Sequence, residues 1–260
     1  MKIKFQCGDR ILEFNINIKK KSFLNKYDNT YVDVLENINI KIKQKEFVCI
    51  VGPSGCGKTT LMNIIGGLIK SENQKILMNG KDLKIDDNFG YVFQTSRLLP
   101  WLTVKENIEL VCNDDDSNLN IDNILKSFGL LGFKDYFPKT ISGGMRRKVS
   151  LARALIKQPK ILLMDEPFVS LDQPTAENLY EVLINYWKKK PITVILITHN
   201  LKEALLLGDR ILFFSKRPAT VVYDHKVKTK RGQLTLDGRE LQNEYLHLKK
   251  KFPSLLEGLI

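Results

Sequence analysis

Phe47-Val48-Cys49-Ile50-Val51-Gly52-Pro53-Ser54-Gly55-Cys56-Gly57-Lys58-Thr59-Thr60-Leu61 decides the fold. Five apolar residues in a row read as a strand covered on both faces, because a strand with one wet face would alternate. The eight residues from Gly52 to Thr59 fit GxxxxGK[ST], and Leu61, Ile64, Ile65 and Leu68 follow at helical spacing. Strand, glycine-rich loop and helix make the setting in which a triphosphate is held. Its crowded negative charge calls for many backbone N–H donors at close range. Gly52, Gly55 and Gly57 clear that approach and admit positive φ, and the helix N-terminus beyond adds about half a positive charge. Lys58 is placed to reach the β and γ phosphates, and the Thr59 hydroxyl to take a Mg2+ position. Pro53, Ser54, Cys56 and Thr60 belong to the same nucleotide-binding stretch. Cys56 occupies a position the motif leaves free and is expected to be alkylated unless nucleotide covers it.

Further along, Ile161-Leu162-Leu163-Met164 ends in two acids, Asp165 and Glu166. In a phosphate-loop core this strand is expected beside the loop's own strand, with Asp165 delivered to the Mg2+ shell. Glu166 is then placed to hold or polarise the attacking water, which gives two adjacent carboxylates different tasks. Val194 to Ile197 is a third continuous apolar run. At the N-terminus, residues 10 to 18 and 34 to 42 alternate instead, Phe14, Ile16 and Ile18 in the first and Leu35, Ile38, Ile40 and Ile42 in the second, and predict half-buried antiparallel strands. Between Arg97 and Pro159 the pattern turns helical. Thr103 with Glu106 predicts a capping box, and Ser142 predicts the cap of a helix striped by Met145, Val149, Ala152 and Ile156. Asn200 with Glu203 caps another helix that Gly208 can close, and Asp237 with Glu240 is expected to do the same in the tail.

Across the 260 residues, 41 Lys and Arg stand against 29 Asp and Glu, a formal net charge of +12. The Lys residues are scattered, so a solvated basic surface is the better reading, and nucleic acid is not an expected partner. No apolar run approaches the roughly 18 to 20 residues that cross a bilayer, and the N-terminus lacks the apolar core of a secretion signal. Cys7, Cys49, Cys56 and Cys112 have neither zinc-site nor disulfide-framework spacing and read as reduced thiols.

Ile141-Ser142-Gly143-Gly144-Met145 resembles the LSGGQ signature of the ATP-binding cassette (ABC) ATPases. Gln94 in Tyr91-Val92-Phe93-Gln94 looks like the Q-loop of that superfamily, Ser170-Leu171-Asp172 like its D-loop, and His199 in Ile197-Thr198-His199 like its H-loop. The resemblance covers roughly residues 10 to 215. Leu98-Leu99-Pro100-Trp101-Leu102-Thr103-Val104, Gly143 to Arg146, Asn200 to Asp209 and Arg217-Pro218 are similar to the nitrate, sulfonate and taurine importer branch. Phe168-Val169-Ser170-Leu171-Asp172 departs mildly from the usual FSALD, and Ile141 replaces the usual Leu.

The resemblance implies an α/β fold: a RecA-like P-loop core with an N-terminal antiparallel β subdomain and a helical subdomain inserted at about 97–158, residues 1–215 forming the ATP-binding domain and 216–260 a basic C-terminal extension. It implies ATP and Mg2+ as ligands, with Thr59, Gln94 and Asp165 at the metal. Glu166, His199 and Gln94 take the catalytic roles. Ser142, Gly143, Gly144 and Asp172 contribute to nucleotide binding, Ser142 and Gly144 acting on the γ-phosphate held by a second copy in a head-to-tail dimer. An aromatic side chain is expected to stack on adenine, and Phe23, in Lys21-Ser22-Phe23, is preferred while Tyr27 and Tyr31 compete. The expected activity is ATP hydrolysis that drives import of a small solute through separate transmembrane permease subunits. A substrate-binding protein would deliver the solute, and the chain would sit peripherally on the cytoplasmic side of the plasma (inner) membrane. A soluble ABC ATPase acting on nucleic acid or ribosomes is the alternative, and a P-loop kinase a third reading.

Overall fold

A computed structural model describes residues 13–83, 89–113, 120–228, 235–236 and 238–253. Residues 10–12 of the first expected strand, Cys7 and the expected cap Asp237 lie outside them. Strands β1 (Glu13–Asn25) and β2 (Thr30–Lys43) form a long antiparallel hairpin in which Phe14 faces Ile42, Ile16 faces Ile40 and Ile18 faces Ile38. The alternation read from the sequence is the pairing itself: those six side chains are buried while Asn39 and Lys41 point outward. The hairpin runs past the predicted ends because rungs such as Lys20–Glu36, Ser22–Asp33 and Asn25–Thr30 add pairing without adding core. Strands β4 (Gln74–Met78) and β5 (Lys81–Asp82) complete a sheet of order β2-β1-β4-β5.

The second sheet has the order β10-β9-β3-β8-β7-β6, from β3 (Phe47–Val51), β6 (Phe89–Val92), β7 (Ile161–Asp165), β8 (Thr193–Ile197), β9 (Arg210–Phe214) and β10 (Val221–Lys226). All its pairings are parallel except that of β10 with β9, which carries the sheet on past residue 215. β7 does not lie beside β3 as expected, because β8 is paired between them. Apolar content alone fixes burial and not strand order.

Successive residues of these strands serve two different cores, and the unbroken apolar runs follow from that. Val48, Ile50, Leu163, Ile195 and Ile197 face the antiparallel sheet and α1 (Lys58–Ile65). Phe47, Cys49, Leu162, Met164 and Leu196 face a second cluster built with α4 (Gly143–Leu155), α5 (Gln173–Lys189) and α6 (Leu201–Leu207). Burying a Leu or Ile fully contributes about 1.5–3 kcal/mol, so both faces are driven shut. Helix α1 ends at Ile65, and Leu68 is left exposed, so the helical spacing stops one turn before its sequence pattern does.

Between β6 and β7 the chain is helical: α2 (Val104–Glu109), α3 (Ile121–Ser127), two short 3-10 turns at Leu131–Phe133 and Pro138–Thr140, and α4. Thr103 and Glu106 make the reciprocal capping box, and Ser142 Oγ accepts from Met145 N at 3.2 Å. The final helix α7 (Arg239–Lys251) packs on α6 and the second core through Leu241 and Leu248. Its N-cap is Gly238, with no side-chain cap, in place of the expected Asp237. Among the described residues no disulfide joins Cys49, Cys56 and Cys112.

Candidate functional site

The phosphate loop leaves the C-terminal end of β3 and turns into α1 at Gly57. Gly55 and Gly57 have φ of +72° and +123°, where a side chain is strained, and a Cβ on Gly57 would stand 2.7 Å from Val34 of β2. The loop is thus pressed against the hairpin, with Cys56 N donating to Pro53 O at 3.3 Å within it. Lys58 is only 6% exposed, and its Nζ donates to the carbonyls of Gly52 and Pro53, both at 2.8 Å. Cys56 is buried beside it, Sγ 3.9 Å from Nζ. Burial pushes its thiol up, outweighing the pull of Lys58, and the side chain is closed off from solvent within the loop.

The carboxylate pair lies across from the loop. Thr59 Oγ1 donates to Asp165 Oδ1 at 3.3 Å although β8 separates the two strands. Asp165 is 4% exposed, and burial raises its carboxyl above the ordinary range, with the Glu166 charge adding to the rise and Thr59, Lys58 and Arg97 opposing it. A buried carboxylate facing a threonine hydroxyl is a hard-oxygen pair of the kind that holds Mg2+ together with phosphate oxygens. Among the described residues no cluster of three or more His, Cys, Asp or Glu could hold a metal ion.

Glu166 is the hub of the remaining polar groups. Its backbone has φ of +45°, unusual for a residue with a side chain, and its N–H donates to Ile197 O at 3.0 Å, which fixes it to the end of β8. Gln94 Nε2 donates to Glu166 Oε2 at 3.4 Å, and His199 Nδ1 lies 3.6 Å from the same oxygen. Thr198, next to His199, donates to the buried Glu203, which also accepts from Tyr180 OH at 2.9 Å. In the sequence Glu203 is visible only as a helix-cap partner, and nothing there singles out Tyr180.

A second cluster stands apart. Ser142 and Gly143 are exposed at the N-terminus of α4, and Gly144 is buried where an added Cβ would run into Thr175 Cγ2. Thr175 N donates to Asp172 Oδ2 at 3.3 Å, and hydrogen bonding from the Thr175 side chain, then from its backbone, holds the Asp172 carboxyl below its usual range. Signature turn and D-loop cap are therefore packed together. No hydrogen bond or ion pair among the described residues joins Ser142–Gly144 to the phosphate loop.

The aromatic candidates all sit on the hairpin. Phe23 pairs with Val32, one rung nearer to Val34 and the phosphate loop than Leu24 with Tyr31, and Tyr27 is fully exposed at the turn. Near the helical lobe, fully buried Asn107 accepts from Leu99 N at 2.8 Å and donates to the carbonyls of Leu99, Leu102 and Thr103, folding that segment so that Trp101 stays 68% exposed. Sequence reading misses Asn107, since one buried amide carries no pattern.

Residues 35–169 match the family model described as ABC transporter. The chain is 40% identical over 220 residues to an aliphatic sulfonates import ATP-binding protein of Bacillus cereus, covering 83% of this chain and 88% of that protein. It is 36% identical over 217 residues to the taurine import ATP-binding protein of Jannaschia sp. (strain CCS1), 81% of each. A solved ATP-binding cassette, dimeric and bound to ADP and Pi in a post-hydrolysis state, superposes with a TM-score of 0.70 at 31% identity, covering 84% of this chain and all of that one.

Proposed function

This chain belongs to the ABC transporter family, and from that premise we propose that it is the ATP-hydrolysing subunit of an importer for a small solute of the sulfonate, taurine or nitrate kind. Residues 1–215 serve as the ATP-binding domain, with the helical lobe of about 97–158 inserted, and 216–260 as a basic extension. The observation that carries the reading is the convergence of Gln94 and His199 on one oxygen of Glu166, beside the Thr59–Asp165 pair.

In this reading Lys58 is kept ready by two loop carbonyls and exchanges them for β- and γ-phosphate oxygens when ATP arrives. Thr59, Asp165 and Gln94 would hold Mg2+, which when bound offsets the charge on the phosphates. Glu166 orients a water and takes its proton as the water oxygen bonds to the γ-phosphorus. The bond to the β-phosphate oxygen breaks, and ADP leaves with that electron pair. His199 and Gln94 hold the Glu166 carboxylate in line. Phe23 stacks on adenine. Ser142 and Gly144 carry a helix N-terminus to the γ-phosphate bound by a second, head-to-tail copy.

No helix among the described residues is long and apolar enough to cross a membrane. The solute path is assigned to permease subunits, met by the exposed Trp101 segment, with a substrate-binding protein beyond them and the chain on the cytoplasmic side of the plasma (inner) membrane. Solubilised membranes should yield the chain together with a permease, and hydrolysis should rise with solute-loaded binding protein. Hydrolysis raised by nucleic acid, with no permease retained, would overturn the assignment.

A further inference from the structure

Arg147, in the second turn of α4, is 7% exposed, and among the described residues no carboxylate lies within ion-pair distance of it or of Arg153. A buried cation is costly unless polar partners replace its water. Here the partners are peptide carbonyls. Arg147 Nη1 donates to Phe93 O at 2.8 Å and Nη2 to Gln94 O at 2.6 Å. Arg153 Nη2 donates to Ser96 O and Nη1 to Arg97 O, both at 3.0 Å. Two guanidinium forks from the signature helix thus grip both ends of the Phe93–Arg97 segment that carries Gln94.

The same segment is braced on its other side. Phe93 lies between the Arg97 guanidinium, 3.7 Å from its ring centre, and the Tyr91 ring, stacked at 4.1 Å. Tyr91 OH donates to Asn63 Oδ1 at 2.9 Å on α1, the helix that begins at Lys58. A planar fork can satisfy two neighbouring carbonyls at once, whereas an ammonium is a point donor, so this connection is specific to arginine.

We propose that Arg147, assisted by Arg153, is a positioning residue that makes the Gln94 segment and the signature helix one rigid piece, so that a shift of Gln94 at one nucleotide displaces Ser142 and Gly144 towards the second copy. The inference rests on the dimeric ATPase reading above. It is tested in a Glu166→Gln background by comparing ATP binding with ATP-driven dimerisation measured by sedimentation. Arg147→Lys is expected to bind ATP within about twofold of its parent and to need about tenfold more protein to dimerise, the effect of losing one charge-assisted hydrogen bond. Equal dimerisation would overturn the proposal. So would ATP binding, dimerisation and melting temperature falling together, which is what a contact that merely stabilises the fold would give.

A second arm does not need the dimer. With Cys7 and Cys112 replaced by Ser, spin labels at Thr95→Cys and Lys139→Cys should report one narrow distance, broadened by Arg147→Ala. An equally narrow distance in that variant would overturn the clamp. A Glu166→Gln parent that stays monomeric in ATP would instead defeat the dimer reading, and the label distances would then decide the clamp alone.

Discussion

The floor of the proposed nucleotide site and the signature turn sit on one chain in opposite conditions. Lys58 and Asp165 are buried, and each already has partners: Lys58 two carbonyls, Asp165 the Thr59 hydroxyl. Ser142 and Gly143 are exposed, and the N-terminus of α4 faces outward with only its own serine cap. The first region is finished within the molecule and held ready for a ligand. The second is stiff, since Gly144 is pressed on Thr175 and Arg147 and Arg153 bolt the helix to the Phe93–Arg97 segment. In the proposed head-to-tail dimer this rigid helix end is what would meet the γ-phosphate of the second copy.

Four substitutions probe the difference between the two regions. Glu166→Gln has the largest expected effect: phosphate release falls about 10²–10⁴-fold while ATP stays bound and a closed dimer accumulates. Wild-type turnover would remove Glu166 from its role. Lys58→Ala comes next. Losing a charged donor to phosphate should weaken ATP binding about 10- to 100-fold by equilibrium titration, and unaltered affinity would mean that the loop amides suffice.

Asp165→Asn tests whether the finished region carries a cost. Burial raises this carboxyl above its ordinary 3.8, so the folded chain binds the proton more tightly than the unfolded one. Stability therefore falls as pH rises through the window between 3.8 and the raised folded value, and the charge is a burden at neutral pH. Without Mg2+ or nucleotide the variant should melt a few degrees above its parent at pH 7 and lose that pH dependence. A lower melting point would show that Thr59, Lys58 and Arg97 outweigh burial. Trp101→Ala has the smallest effect on the isolated chain, within about 0.5 kcal/mol by urea unfolding, because the ring is exposed. Its effect should appear as loss of the permease on purification, and full retention would place the docking surface elsewhere.

These contrasts are unevenly legible in the sequence. The phosphate loop, the paired acids and the caps at Thr103, Ser142 and Asn200 are readable because each is a local pattern with a local cause. The placement of β8 between β3 and β7 is not, since three equally apolar runs carry no order. β4 and β6 escape because they are half-buried elements with mixed composition. Among functional groups, those that act through backbone carbonyls are invisible: Arg147 and Arg153 look like solvated charges on a helix, and only the fold shows which carbonyls they meet.

The most direct measurement is a crystal structure of the Glu166→Gln chain with ATP and Mg2+. Two copies should enclose two nucleotides, with Ser142 and Gly144 of one protomer against the γ-phosphate held by Lys58 of the other. A nucleotide fully coordinated within a single chain, its signature turn still facing solvent, would contradict the account.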